Sequence, residues 1–268
     1  MTIKKNFNRD GFLTAIEAVS PDKAARYFNK CSNFIEQYST HPSYSEWTYN
    51  KSEMILRWVA ELAAEKALLD VVEEIIGPNI LLWNAFLPLK PPHSDAKFGW
   101  HQDATYWPVS HTDQVVSAWV ALSSVNRSNG GMQMVQGSHS LGPVEHEATY
   151  DGTSMLRRGQ QVCLPIDDTQ VVDIDLIPGQ ASLHHPLTLH RSSANESDEW
   201  RLGVGFNYVS SNVKPLSGHH DSAILLRGNT DGSGFVLTEP PQSDLDKAAL
   251  ENFARVQQLQ SKRYADVE

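Results

Sequence analysis

Gln180-Ala181-Ser182-Leu183-His184-His185-Pro186-Leu187-Thr188-Leu189-His190 leads through a polar stretch, 191–199, into Arg201-Leu202-Gly203-Val204-Gly205-Phe206-Asn207-Tyr208-Val209. The second flank alternates. Arg201, Gly203, Gly205 and Asn207 fall on one side of an extended chain, and Leu202, Val204, Phe206 and Tyr208 on the other. A period of two reads as strand, so 180–190 and 201–209 are expected to be strands, with the polar residues between them suited to the turn of a hairpin. Such a hairpin would bring His190 and Arg201 together at its mouth. A face made of Arg, Gly, Gly and Asn is a poor hydrophobic core, but it leaves room for a bound acid. On residue types alone, Arg201 could equally be a surface arginine facing water.

The same texture recurs upstream. Residues 79–89, 115–123, 131–135 and 171–177 form short β-like runs broken by Gly, Pro, Asn and Asp. Three helical patterns flank them. Ser20-Pro21-Asp22 supplies a cap, a first-turn proline and a first-turn acid, followed by Ala24, Phe28, Cys31, Ile35 and Tyr38 at helical spacing. The spacing of Leu56, Val59, Ala63, Leu69, Val72 and Ile76 predicts one long helix over about 52–76, stopped by Gly77-Pro78. A third helix is expected to open at Ser243 and to carry Leu245, Ala249, Phe253, Val256 and Leu259. Helices outside and many strands inside predict a mainly β (α+β) fold. Its core would be a double-stranded β-helix, or jelly-roll, over 79–242, jacketed by helices over 1–78 and 243–268 in one domain, 1–268.

With 268 residues, of which 40% are hydrophobic, the chain can bury one sizeable core. A net charge of -10 argues against nucleic acid or an anionic membrane as the main partner. No apolar run is long enough to span a bilayer, and 1–10 lacks the apolar stretch of a secretory signal. Cys31 and Cys163 lie far apart without metal or redox spacing, which suits a reduced, cytoplasmic interior.

The chemistry concentrates in Trp100-His101-Gln102-Asp103 and in His190-Arg191-Ser192. Two histidines and a carboxylate are the protein ligands of the facial arrangement that holds Fe(II) on one side and leaves the other positions open. His-x-Asp is weak alone, and the chain holds two rivals, His111-Thr112-Asp113 and His219-His220-Asp221. The second has no histidine downstream to complete it, and the first sits in a polar turn. His101 instead stands among Trp100, Tyr106 and Trp107, which suggests a walled pocket, and alternation puts His101 and Asp103 on one side of an extended segment. Downstream, His184 and His185 compete with His190, which ends its run just before the turn. Arg201 offers a planar fork that can grip a carboxylate bidentately.

Taken in order, Lys90-Pro91-Pro92, Trp100-His101-Gln102-Asp103, Tyr106-Trp107-Pro108, Ser117-Ala118-Trp119, Asn129-Gly130-Gly131, Gly137-Ser138-His139, His185-Pro186-Leu187, His190-Arg191-Ser192 and Arg201 carry a resemblance over most of the chain. The chain resembles the phytanoyl-CoA dioxygenase family of Fe(II)/2-oxoglutarate-dependent oxygenases. The resemblance implies Fe(II) on His101, Asp103 and His190, with 2-oxoglutarate and O2 as co-substrates. It implies that Arg201 pairs with the distal carboxylate of 2-oxoglutarate, that Ser192 hydrogen-bonds it, and that Trp119 and Asn84 contact it. Trp119 reads either as a pocket wall or as a core aromatic, and Asn84, an amide in an apolar strand, needs a partner. The chain departs from the family's Pro-Gly-Ser-His with Gln136, and it keeps Asp103 where halogenating relatives carry Ala or Gly. Hydroxylation of an unactivated C–H bond of a small polar metabolite, releasing succinate and CO2, is the expected activity. The segment 209–241, with His219, His220 and Arg227, resembles a substrate-side loop. Two rival functions are a zinc hydrolase built on the same His/Asp/His set and a non-catalytic jelly-roll that binds a ligand.

Overall fold

The computed structural model describes residues 2–149, 152–156, 160–216, 220–230, 232 and 234–265; the side chains of Tyr106, Leu259 and 261–265 lie outside that description, as does His219 altogether. Along the first half run α1 (Thr2–Asp10), β1 (Phe12–Glu17), α2 (Pro21–Tyr38), α3 (Tyr44–Tyr49), α4 (Arg57–Ala63), α5 (Lys66–Ile76), β2 (Ile80–Phe86), β3 (Phe98–His101) and β4 (Val115–Ala121). Then come β5 (Met132–Val135), β6 (His146–Ala148), β7 (Gln160–Val162), β8 (Val171–Asp173), β9 (Gln180–His184) and β10 (His190–Ser192). The chain closes with β11 (Gly203–Ser210), β12 (Ser222–Arg227), β13 (Val236–Leu237) and α6 (Lys247–Ala265). β9 pairs with β1, the orders β3-β10-β5-β8 and β6-β7 make two further sheets, and β11, β2, β12 and β13 neighbour one another in that order. This is the mixed α+β, jelly-roll type of architecture that the strand-rich middle of the sequence predicts. Two compact units share the chain: Met1–Ala25, Leu89–Trp107 and Trp119–Gly203 form unit 1, and Arg26–Pro88, Pro108–Ala118 and Val204–Glu268 form unit 2.

Unit 1 pairs β1 with β9 and holds the four-stranded sheet. β1 is an addition to the sequence reading, which has only helices over 1–78. The single strand expected over 180–190 is two strands. β9 ends at His184, and a turn closes on itself: Thr188 N donates to His185 O at 2.8 Å and Leu187 N to His185 Nδ1 at 3.0 Å. Pro186 has no N–H to extend a ladder there. The turn delivers β10 between β3 and β5, so the expected hairpin between 180–190 and 201–209 does not form; β11 pairs with β2 instead. The unit's core gathers Phe12, Trp119, Ala121, Val125, Met134, Ile174 and Leu176, with Met132 and Val172 against it.

Unit 2 carries β2 between β11 and β12, and β2 and β11 are buried almost throughout. The one helix expected over 52–76 is three pieces, a 3₁₀ turn Ser52–Met54, then α4, then α5. Ala64 N folds back to Ala60 O and Glu61 O, and Glu65 turns extended (φ -60°, ψ 128°). The buried stripe changes phase at this point, from Val59, Leu62 and Ala63 to Leu68, Leu69, Val72 and Ile75, so one straight helix could not bury both sets. Tyr27 OH donates to Glu65 at the break, at 3.1 Å. Gly77, with φ 91°, ends α5 as expected. α6 opens at Lys247 and not at Ser243, because Asp246 is the cap: it accepts from Ala249 N at 2.8 Å and from Gln242 N and Ser243 N. Cys31 is buried and Cys163 exposed, both free, and no described helix is long and apolar enough to cross a membrane.

Candidate active site

Within unit 1, antiparallel pairing sets His190 of β10 directly opposite His101 of β3, with ring centroids 4.1 Å apart. Asp103 follows on a 3₁₀ turn, Asp103–Tyr106, pinned by Ala104 N donating to Pro186 O at 3.1 Å. Gln102 points elsewhere and staples the loop: its Nε2 donates to Gly142 O and Leu187 O, at 2.9 and 2.8 Å, and its Oε1 accepts from Val144 N. Alternation therefore turns His101 and Asp103 toward His190. One Asp103 oxygen, Oδ1, stands 3.6 Å from Nε2 of both histidines, and the three donor atoms lie within 4.8 Å of one another.

Protonation favours the same use. His101 Nδ1 and His190 Nδ1 each face a backbone carbonyl, Gly99 O at 2.8 Å and Thr188 O at 2.9 Å. A carbonyl can only accept, so each Nδ1 carries a hydrogen, which leaves Nε2, on the side of Asp103, as the nitrogen that can offer a lone pair to a metal. Burial, reinforced by His101, holds His190 well below its ordinary pKa. Burial pulls Asp103 upward, but His190, His101 and His184 outweigh it and keep the carboxylate far below its usual range. A divalent metal requires its imidazole ligands neutral and its carboxylate ligand ionised; the lowered His190 and Asp103 meet that requirement, so the residues fit Fe(II).

Arg201, 2% exposed, belongs to the same unit, bonded through its backbone to Lys90 and donating from Nη1 to Gly130 O at 2.7 Å. Its guanidinium sits 5.3 Å over the Trp119 ring. A Cβ on Gly203 would come within 2.1 Å of that ring. Gly203 thus makes way for an aromatic platform under the arginine, where the sequence suggests space for an acid. Burial lowers Arg201 to about 9, still charged near neutrality. Ser192, two residues past His190, is buried with its hydroxyl 2.8 Å from Lys90 Nζ. Trp119 turns out to be both core residue and platform.

Asn84 belongs to unit 2, where its Oδ1 accepts from Lys51 N at 2.8 Å and its Nδ2 donates to Asn207, which answers its need for partners. His111 is exposed in a turn with φ 53°. His185 packs at a tilt against the rings of His139 and Phe7. Arg227 is held by Asp70 and Glu73 at 3.0 and 2.6 Å, a structural use. Three neighbours of the site are missed by sequence reading. His184 contacts Asp103 Oδ2 through Nε2 at 3.2 Å, leaving Oδ1 to the histidines; a run of three histidines is its only signal. Gln102 hides as the x of His-x-Asp. Lys90 is marked only by standing just before two prolines.

The family model for phytanoyl-CoA dioxygenase (PhyH) matches residues 7–203, well over half of the chain. The peroxisomal phytanoyl-CoA dioxygenase of Rattus norvegicus is 25% identical over 236 residues, 80% of this chain and 69% of that protein. A probable alpha-ketoglutarate-dependent hypophosphite dioxygenase of Stutzerimonas stutzeri is 29% identical over 60% of this chain and 56% of its own length. Among solved structures, the non-heme monooxygenase ThoJ in its apo form superposes with a TM-score of 0.88 at 30% identity, covering 98% of each chain. Its nickel complex gives 0.82 at 27% identity, over 99% of this chain and 100% of that one. Motif order, the facing His101 and His190 and the family match converge: the chain belongs to the phytanoyl-CoA dioxygenase family of Fe(II)- and 2-oxoglutarate-dependent oxygenases.

Proposed function

We propose that His101, Asp103 and His190 hold the Fe(II), that Arg201 with Ser192 and Trp119 seats the distal carboxylate of 2-oxoglutarate, and that the enzyme hydroxylates an unactivated C–H bond of a small polar metabolite. The observation that carries this reading is the single Asp103 oxygen 3.6 Å from Nε2 of both histidines. When bound, iron and the keto acid supply activation of O2, with succinate and CO2 as by-products. The protein's part is placement. The β3–β10 register fixes both imidazoles, and the turn after His101 fixes the carboxylate. Arg201 brings a buried, planar cation to orient a dicarboxylate.

The presence of Asp103 favours hydroxylation over halogenation, because its carboxylate occupies and charges the position a halide would need. With a turned-over substrate, oxygen-18 gas should label the new hydroxyl and added chloride should leave the product unchanged. A small substrate fits better than an acyl-CoA. The two arginines of the flanking segments, Arg57 and Arg227, are engaged by Glu61 and by Asp70 and Glu73, and so are poor grips for a nucleotide phosphate. Two free cysteines suit a reducing cytoplasm.

Adding Fe(II) and then 2-oxoglutarate without air should produce a weak visible charge-transfer band, and admitting air should release succinate. A colourless complex, no succinate and a zinc-dependent hydrolysis in its place would replace this reading with that of a hydrolase.

A further inference from the structure

We propose that Lys90 is a positioning residue of the carboxylate site: buried beside Arg201 and bonded to Ser192, it adds a second positive charge and turns the Ser192 hydroxyl toward bound 2-oxoglutarate. The proposal rests on the reading that Arg201 seats that carboxylate. Lys90 is 0% exposed, and its backbone exchanges hydrogen bonds with Arg201, N to O at 3.1 Å and O to N at 2.9 Å. Its Nζ meets three acceptors: Ser192 Oγ at 2.8 Å, Ser192 O at 3.3 Å, and Ser193 O. The Phe98 ring lies 6.0 Å away on another side. Asn195 Nδ2 grips the Lys90 carbonyl at 3.2 Å. Among the described residues, Arg201 is the charged group that acts on the Lys90 amine.

Two cations crowded together out of water favour loss of one proton. Burial first, and then Arg201, push Lys90 down to about 6. A neutral amine has two N–H groups for the two carbonyls and a lone pair that accepts from the Ser192 hydroxyl. A charged amine has three N–H groups and no lone pair. Ser192 Oγ must then accept from it, and the hydroxyl hydrogen is free to donate to a ligand. A dicarboxylate arriving at Arg201 brings negative charge next to the amine and favours its charged form. The proton comes from solvent, so binding of the keto acid and proton uptake are one coupled event.

The test is calorimetric titration of the anaerobic, Fe(II)-loaded enzyme with 2-oxoglutarate near neutral pH, in buffers of unlike ionisation enthalpy. Wild type should take up a substantial fraction of a proton per ligand bound. Lys90→Met should bind without uptake, with Kd raised roughly 10–100-fold, the size usual for residues that orient a ligating group. A Lys90→Met enzyme that binds as tightly as wild type, or that still takes up the proton, overturns the role of Lys90 and leaves that of Arg201 standing. If the variant does not fold, the wild-type proton count decides alone, and zero uptake overturns the proposal. A wild type that does not bind 2-oxoglutarate at all overturns the functional reading together with the proposal.

Discussion

His101, Asp103 and His190 differ from the chain's other described histidines and acids in turning their donor atoms toward one point, each ring locked by a carbonyl behind it. Replacing any of the three with Ala should abolish both turnover and tight Fe(II) binding, measured by metal titration of the purified variants. His111→Ala should leave both intact, since that ring is exposed in a turn. Retained iron binding in the His101→Ala protein would refute the assignment. Arg201→Ala should leave iron binding in place but raise the apparent KM for 2-oxoglutarate steeply. Removing one partner of a buried charge pair costs roughly 2–5 kcal/mol. An unchanged KM in steady-state assays would mean that the keto acid is held elsewhere.

Strands place these residues, and their packing tolerates little. Gly203 opens β11 with the Trp119 ring where its side chain would be; a Cβ there would lie 2.1 Å from the nearest ring carbon. Gly203→Ala must push back a buried indole, and overpacking of that kind costs roughly 1–3 kcal/mol. Urea unfolding should show the loss, and 2-oxoglutarate affinity should fall with it because the platform under Arg201 shifts. Full stability in that variant would show that Trp119 has room to move. β10 illustrates the other control at this scale: its three residues matter because the turn at Pro186 sends them between β3 and β5, where His190 meets His101.

For the stability of the whole molecule, a buried cluster of charged groups in unit 2 matters. Lys51 bonds Asp221 at 3.1 Å, Trp83 Nε1 and Gln260 also donate to Asp221, and Glu53 accepts from Ala85 N. Burial pushes Glu53 up to about 7, against the pull of Lys51. Folding therefore holds a proton on Glu53 that the unfolded chain releases at ordinary carboxylate pH. Its contribution is fully present below that range and is lost as pH rises through about 7. Glu53→Gln should flatten the decline in unfolding free energy on the neutral side, a slope of at most about 1.4 kcal/mol per pH unit. An identical slope in both proteins would assign the decline to another group.

The sequence alone carries the local physics: short β-like runs mark β2, β4 and β5, alternation marks β11, Gly77 stops a helix, and the order of the motifs names His101, Asp103, His190, Arg201 and Ser192 as the residues to watch. These are legible because period, turn chemistry and ligand type depend on neighbours in the chain. Partnership across the fold is not legible in the same way. Nothing local says that β10 joins β3 and β5 and leaves β11 to β2, that the pattern over 52–76 changes phase and breaks, or that the glycines of β11 make room for aromatic rings. Nor does Lys90 announce that it is buried beside Arg201, or His184 that it meets Asp103. Those outcomes follow from which surfaces close on each other, and a side chain's charge, tautomer and hydrogen-bond partners are set by that closure.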